Sequence, residues 1–487
     1  MKDIALLIAI LSFVGHIPAN CQVLTEKRPN ILWIVMDDVG IEFPYFGHDV
    51  IETPNIDRLV NEGTLFTHAI VTAPVCSPSR SAMITGMYQT TIGANNHVSG
   101  RGEHRISLPA QVKLVPELFR EAGYYVTNGD YPFNGDALGK ADYNFDWDTM
   151  VYSSNDWKHR APGQPFFAQV QLLGGKNRDK KGWLDVSRKE LGNLTDTGRI
   201  QLPPYYPRDP VILKDWGEYL DCIRYTDKQI GEILERLSDE GELDNTVIIL
   251  MGDNGISHAR GKQFLYDEGI RTLFVVKGPG IGAGQVRNDM IEHIDMAAIS
   301  LAAADLEVPD WMQGKNVFDR RYRKRQFVYA ARDRCGEAVD RIRAVRSERF
   351  KYIRNADGER PHLQPSNYKD AKAIIRQLRS LHAEGRLNTL QEKLLFAPQR
   401  PEEELYDLKK DPFELVNLAY DRKYQRTLAK FRQALENWST KTGDPDPETF
   451  AIYELEMKNQ IERTRPGEAR DQVIKNVEWY KQQLKTN

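Results

Sequence analysis

Residues Asn30 to Met36 read Asn-Ile-Leu-Trp-Ile-Val-Met, an almost unbroken apolar run rich in branched side chains. A strand exposed on one face would alternate apolar and polar residues; this one does not, so it must be buried on both faces, as central parallel strands are. The run ends in Asp37-Asp38-Val39-Gly40, two acids at the carboxyl end of a strand, where open α/β sheets place their ligands. The same design recurs at Phe166 to Leu172, Thr246 to Met251 and Thr272 to Val276, with helical patterns at Val115 to Ala122 and Asp215 to Leu237 between them. Alternating strands and helices predict a doubly wound, mostly parallel sheet.

The chain has 487 residues, 41% of them hydrophobic, which suits one large domain and a smaller one. Around 318–325 the composition turns basic, and this stretch reads as a linker. Beyond it, Phe327 to Ala331, Arg341 to Val345 and Arg349 to Ile353 read as short strands joined by turns, an antiparallel sheet in a smaller α+β subdomain. An amphipathic helix is predicted from Asp421 to about Ser439, and the charged tail from Thr449 reads as helical, with packing and partner contact both open. The expected division is a signal peptide over 1–21, a catalytic domain over 28–320 and a C-terminal subdomain with its helical tail over 321–487.

The signal peptide rests on Lys2, the apolar run Ile4 to Val14 and the small and turn-forming residues before Cys21. The predicted destination is the periplasm, the cell surface or the medium; Asn20 is a poor residue before a lipidated Cys21, so simple cleavage is preferred to an anchor. No later stretch is long and apolar enough for a transmembrane span. A net charge of -3 with dispersed basic residues excludes a nucleic-acid binder by bulk charge. Cleavage would leave Cys76, Cys222 and Cys335, an odd number that excludes a disulfide scaffold. Two isolated buried thiols are favoured over a Cys222 to Cys335 bond.

Cys76-Ser77-Pro78-Ser79-Arg80 opens an apolar helical stretch, which would set the cysteine at a helix N-terminus, a place that favours anions. Asp37, Asp38, Asp253 and Asn254 follow two predicted strands. They form a set of hard oxygen ligands suited to Ca²⁺ or Mg²⁺.

With these residues in place, the chain resembles the type I sulfatases of the alkaline phosphatase-like superfamily. The likeness runs through Asn30-Ile31-Leu32, the Cys76 motif, Gly252-Asp253-Asn254-Gly255, Lys277-Gly278-Pro279-Gly280, Leu405-Tyr406-Asp407-Leu408 and Asp411-Pro412. It implies that a formylglycine-generating or anaerobic sulfatase-maturating enzyme, reading Pro78 and Arg80, converts Cys76 to formylglycine (3-oxoalanine), whose hydrated form attacks sulfur. It also implies that Asp37, Asp38, Asp253 and Asn254 bind Ca²⁺ together with residue 76, that Arg80 holds the nucleophile, and that Lys140 and Lys262 clamp the sulfate.

Two family histidines are absent. Asp142 stands where one belongs, and Gly174-Gly175-Lys176 replaces the other. His258 or Lys176 is expected to protonate the leaving group, with Asp142 assisting collapse; the alternative is that His258 lies at the surface or supports the site from behind without touching substrate. His97, near Arg101, is a candidate sugar contact, and Tyr131, Trp183 and Arg178 are candidates for a saccharide groove. The expected activity is hydrolysis of sulfate esters on a carbohydrate, an O-sulfated polysaccharide such as algal ulvan. The alternatives are an N-sulfoglucosamine sulfohydrolase, a phosphate or phosphonate monoester hydrolase, and an inactive glycan-binding homologue.

Overall fold

The computed structural model describes residues 28–485. The expected signal peptide and Cys21 lie outside the described residues. Seven strands form one mixed sheet: β1 (Asn30–Met36), β2 (Thr64–Ile70), β3 (Tyr125–Asp130), β4 (Phe166–Leu172), β5 (Thr246–Gly252), β6 (Phe274–Lys277) and β7 (Gln285–Glu292). Their order is β3-β4-β1-β5-β6-β2-β7. β1 lies parallel to both β4 and β5, β3 parallel to β4, and β2 parallel to β7, whereas β6 runs antiparallel to its neighbours β5 and β2. The predicted strand at Thr272 to Val276 is thus present two residues later and reversed. A short buried apolar run reads the same in either direction.

Every residue of β1 is buried. Ile31, Trp33 and Val35 enter one apolar cluster with Met83 and Ile84 of the helix Cys76–Thr85. Leu32, Ile34 and Met36 enter a second cluster with the helix Pro210–Asp239. The period-two alternation of a strand therefore feeds two cores, one on each face of the sheet. The long helix begins where Asp209 accepts a hydrogen bond from the Val211 N–H and Pro210 takes the first helical position.

A second sheet is antiparallel, in the order β11-β10-β9-β8: β8 (Val328–Arg332), β9 (Ile342–Arg346), β10 (Phe350–Asn355) and β11 (Glu403–Asp407). Tyr352, Val345 and Leu405 pack there against Leu428, Phe431, Leu435 and Trp438 of the helix Gln425–Thr442. Between β10 and β11 the chain makes an excursion back to the large sheet. Ile374, Ile375, Leu378 and Leu381 of the helix Ala373–Ala383 join the cluster around the long helix.

The tail forms two helices, Phe450–Arg463 and Glu468–Lys485, and packs through Tyr453, Met457, Val473, Val477 and Tyr480 against Ala338. Packing is the reading that the structure adopts for it. Cys76, Cys222 and Cys335 are buried free thiols. No helix among the described residues is long and apolar enough to cross a membrane.

The basic stretch expected to act as a linker is tied down. Arg325 folds back on Asp295 at 2.7 Å through both terminal nitrogens and lies 3.5 Å from Glu292. Removing the guanidinium would leave buried carboxylates without their counter-charge, at a cost of about 3–5 kcal/mol. Arg325→Ala is therefore expected to lower the urea midpoint by that equivalent with an unchanged m-value.

Candidate active site

The nucleophile helix begins at Cys76, after Val75 in an extended conformation, so the thiol sits on the first turn. Two ammonium groups converge on it: Lys262 Nζ at 2.7 Å and Lys176 Nζ at 3.2 Å from Sγ. Lys262 also reaches Asp38 Oδ1 at 2.5 Å, and Lys176 reaches Asp37 Oδ2 at 3.3 Å. Burial acts to discharge both lysines. The charges of Cys76, Asp37 and Asp38 around Lys176, and of Asp38 and Cys76 around Lys262, overcome it and hold both well above the ordinary lysine range.

Arg80 lies one helical turn beyond Cys76 and is fully buried. Its Nη2 donates to Asp37 Oδ1 at 2.6 Å, its Nε to Asp253 Oδ2 at 3.0 Å, and its Nη1 to Gln171 Oε1 at 2.6 Å. Lys140 Nζ donates to both oxygens of Asp37 at 2.9 Å. Burial alone would raise Asp37, yet Lys176, Arg80 and Lys140 hold it well below the usual carboxylate range. The site thus opposes Arg80, Lys140, Lys176 and Lys262 to Asp37, Asp38 and Asp253, leaving an excess of positive charge at a helix N-terminus. Such a site suits an oxyanion.

The same residues suit a hard cation. Ligand atoms of Asp37, Cys76 and Asp253 all lie within 4.8 Å of one another. Asn254 donates to Asp38 Oδ1 at 2.9 Å while its own Oδ1 is buried with no hydrogen-bond partner. Burial and the neighbouring Asp37 push Asp253 up to about 6, a stress that a divalent cation would relieve. The one soft atom in this oxygen set is the Cys76 sulfur, and replacing it by oxygen would complete a donor set fit for Ca²⁺ or Mg²⁺.

The sulfatase family model matches residues 29–306, more than half of the chain. The chain belongs to the sulfatase family. It is a sulfuric ester hydrolase. A second model, for the C-terminal part of N-sulphoglucosamine sulphohydrolase, matches residues 258–364 of this sulfatase. Among curated relatives, an ulvan-active sulfatase of Formosa agariphila is 32% identical over 88% of this chain and 78% of its own length. Human N-sulphoglucosamine sulphohydrolase is 23% identical over 88% of this chain and 94% of its own. A solved 2-O glycosaminoglycan sulfatase shares the fold, with a TM-score of 0.60 at 20% identity over 86% of this chain and 93% of that one.

Within the sulfatase, Gly174 and Gly175 are small for a reason. Gly174 has φ +50°, and a Cβ on Gly175 would stand 2.5 Å from the Asp38 carbonyl oxygen. Their close approach carries Lys176 to the nucleophile. Asp142, in the left-handed region at φ 59°, lies 3.3 Å from Lys140 Nζ. Burial opposes its charge, but Lys140 and Arg101 draw it down to about 2.

His97 is held over the start of the nucleophile helix. Its N–H donates to the Arg334 carbonyl at 2.9 Å, and the next residue, Val98, strained at φ 58°, donates its N–H to Ser77 Oγ at 3.0 Å. His97 Nδ1 is buried without a partner, and burial with the Lys262 charge holds the ring well below the usual histidine range.

His258 is not brought into this cluster. Its Nε2 lies 3.0 Å from Asp215 Oδ1 and 3.1 Å from Arg178 Nη1, and its ring sits among Tyr206, Trp216 and Tyr219. Burial and the Arg178 charge push it down to about 3, so it is a neutral imidazole, not the imidazolium that a general acid needs, and its contacts are with Asp215 and Arg178. The expectation of an acid at His258 is corrected on that ground. The saccharide groove expected from Tyr131, Trp183 and Arg178 is not formed either. Tyr131 bonds Glu232 and packs on Phe133, Trp183 packs on Tyr225, and Arg178 lies over Tyr219.

Two residues of the site escaped the sequence reading. Gln171, which bonds Arg80, was detectable as a polar residue near the carboxyl end of the apolar β4. Tyr368, whose hydroxyl donates to Asp38 Oδ2 at 2.8 Å and whose ring lies 4.9 Å from Lys262 Nζ, arrives on the C-terminal excursion with no local motif.

An unfolded histidine titrates near 6.5 and folded His258 at about 3, so between these values the unfolded chain carries a proton that the folded one does not. The contribution is full above about pH 6.5 and is lost as pH falls, amounting to about 2 kcal/mol by pH 5. Urea unfolding from pH 7 to 5 should show a shallower loss of stability in His258→Gln than in the parent.

Proposed function

We propose that this sulfatase is an exported, Ca²⁺-dependent enzyme that removes sulfate esters from a sulfated carbohydrate through formylglycine at residue 76. The observation that carries the reading is the convergence of Lys176 and Lys262 on Cys76 at a helix N-terminus, above buried acids that Arg80 locks in place. The ulvan activity of the Formosa relative supports an O-sulfated polysaccharide as substrate class. Export is supported by the apolar run after Lys2.

Formylglycine, once installed by a maturating enzyme, supplies a hydrated aldehyde whose hydroxyl attacks sulfur and which releases sulfate without hydrolysis of a stable ester. Ca²⁺ held by Asp37, Asp38, Asp253, Asn254 and residue 76 would polarise a sulfate oxygen. The remaining work falls to the chain's own side chains. Lys140, Lys176 and Lys262 neutralise the sulfate, and their charge grows in value as the transition state gathers negative charge on oxygen. Lys176, held protonated 3.2 Å from the nucleophile by the anions around it, is placed to stabilise the departing alkoxide by its charge. His97, held neutral with an unpartnered ring nitrogen, is suited to a hydrogen bond with a substrate hydroxyl, and Asp142 keeps Lys140 and Arg101 in position.

The match of residues 258–364 to the N-sulphoglucosamine sulphohydrolase C-terminal model supports a second reading, an N-sulfated glucosamine substrate.

Sulfate release measured by ion chromatography from ulvan and from heparan oligosaccharides separates the two. O-sulfate release from ulvan is expected, with loss of at least a thousandfold in Cys76→Ala and in protein expressed without a maturating enzyme. Chelation should abolish turnover and added Ca²⁺ restore it. Release from heparan alone would establish the second reading, and release from neither would refute both.

A further inference from the structure

Beside the nucleophile cluster lies a depression of about 300 Å³, at the small end of the roughly 300–1,000 Å³ range of small-molecule sites. Arg101, Arg105, Asp142, Asp146, Tyr143 and Trp147 border it. Asp142 belongs to both places. One oxygen lies 3.3 Å from Lys140 Nζ, which grips Asp37, and the other lies 3.3 Å from Arg101 Nη1. The depression therefore begins one ion pair away from the residues that hold the sulfate.

Its wall is built to stay in shape. The C-terminal helix Phe450–Arg463 pins the loop from behind: Glu456 Oε1 accepts from the Gly100 N–H at 2.9 Å and from Ser99 Oγ at 3.2 Å, and Arg463 donates to the Arg101 carbonyl. Arg101 and Arg105 face each other across a short antiparallel bridge. Trp147 is propped edge-on against Tyr143 at 5.1 Å and Tyr152 at 5.9 Å. An aromatic platform with a rigid polar edge suits the apolar face and the substituents of a sugar ring.

The charges choose among sugars. Arg105 meets Asp146 at 2.8 Å through one nitrogen, and both side chains are at least half exposed. Such a pair contributes only about 0–1 kcal/mol, and it uses one of the five N–H donors of the guanidinium. Arg101 and Arg105 balance Asp142 and Asp146 around the depression, so a ligand oxyanion would be held by the guanidinium N–H donors that these ion pairs leave free, most of them on the half-exposed Arg105.

We propose that this depression is a sugar subsite in which Arg101 and Arg105 bind an oxyanion, a uronate carboxylate or a second sulfate, on the residue neighbouring the one that carries the scissile sulfate. The inference rests on the carbohydrate sulfatase reading and adds the charge of the neighbouring sugar. Three oligosaccharide probes of one backbone test it: a monosulfated form with a uronate neighbour, its carboxyl-reduced counterpart, and the reduced counterpart bearing a second sulfate on that neighbour. The matured parent is expected to show kcat/KM about tenfold or more higher on either charged form than on the neutral one, and the arm with the larger gain identifies the oxyanion. Arg105→Gln and Arg101→Gln should each bring that ratio toward one, mainly through KM, whereas the remote exposed Arg58→Gln should leave it unchanged.

Calorimetric Kd values for the three probes on Cys76→Ala decide the subsite independently of turnover. Charge-dependent binding that vanishes with Arg105→Gln upholds it even if the matured parent releases no sulfate, in which case the proposed substrate class falls and the subsite stands. Equal Kd values, or a kcat/KM ratio that survives both arginine substitutions, overturn it.

Discussion

The buried guanidinium of Arg80 is the interaction on which the rest of the site depends. It sits on the nucleophile helix yet bonds Asp37 at the end of β1, Asp253 after β5 and Gln171 near the end of β4. Three neighbouring strands and one helix are thereby locked at a single point, where each strand alone would present an uncompensated polar group to the core. A planar fork with five donors can satisfy three acceptors at once; an ammonium on a flexible stem cannot hold them in one plane. The position of Cys76 relative to the acids follows from that geometry, because only one helical turn separates the two residues.

Charge organises the second layer. Four cations over three carboxylates make a site that is costly to leave without an anion or a cation bound, and the orphaned Asn254 Oδ1 and the raised Asp253 are where that stress appears. Away from the nucleophile, His258, Asp215, Arg178 and Tyr219 enclose a neutral imidazole and, through Arg178, tie the short segment that carries Lys176 to the long helix. The C-terminal half closes the site from the other side. Tyr368 reaches Asp38, and the tail helices fix the loop that carries His97, Arg101 and Arg105. A sugar brought to Cys76 thus meets residues from both sheets' loops, which is how a shared sulfate-handling core can serve different carbohydrates.

Much of the architecture was legible. Strands β1 and β4 begin and end at the residues that their apolar runs marked, because full burial on both faces leaves an unambiguous signal. Strands β2 and β7 were not read, since Thr64 to Ile70 and Gln285 to Glu292 mix polar and apolar residues without a clear period. The direction of β6 was likewise hidden. Of the site, the acids, Cys76, Arg80 and the lysines stand together as their motifs suggested, whereas His258 went astray: its place beside Lys262 in the sequence says nothing about Trp216 and Asp215, which enclose it.

The sequence by itself determined the local pieces: apolar runs that must be central strands, acids at their ends, a cysteine that opens a helix with an arginine one turn later. These are set by periodicity and by short fixed spacings, which every residue feels through its own neighbours in the chain. The tertiary structure alone decided which histidine is buried and neutral, that Tyr368 returns across 330 residues to Asp38, and that the tail braces an arginine-lined depression beside the nucleophile. Those outcomes depend on charge and packing between segments distant in sequence, and no local pattern encodes the field that one segment exerts on another.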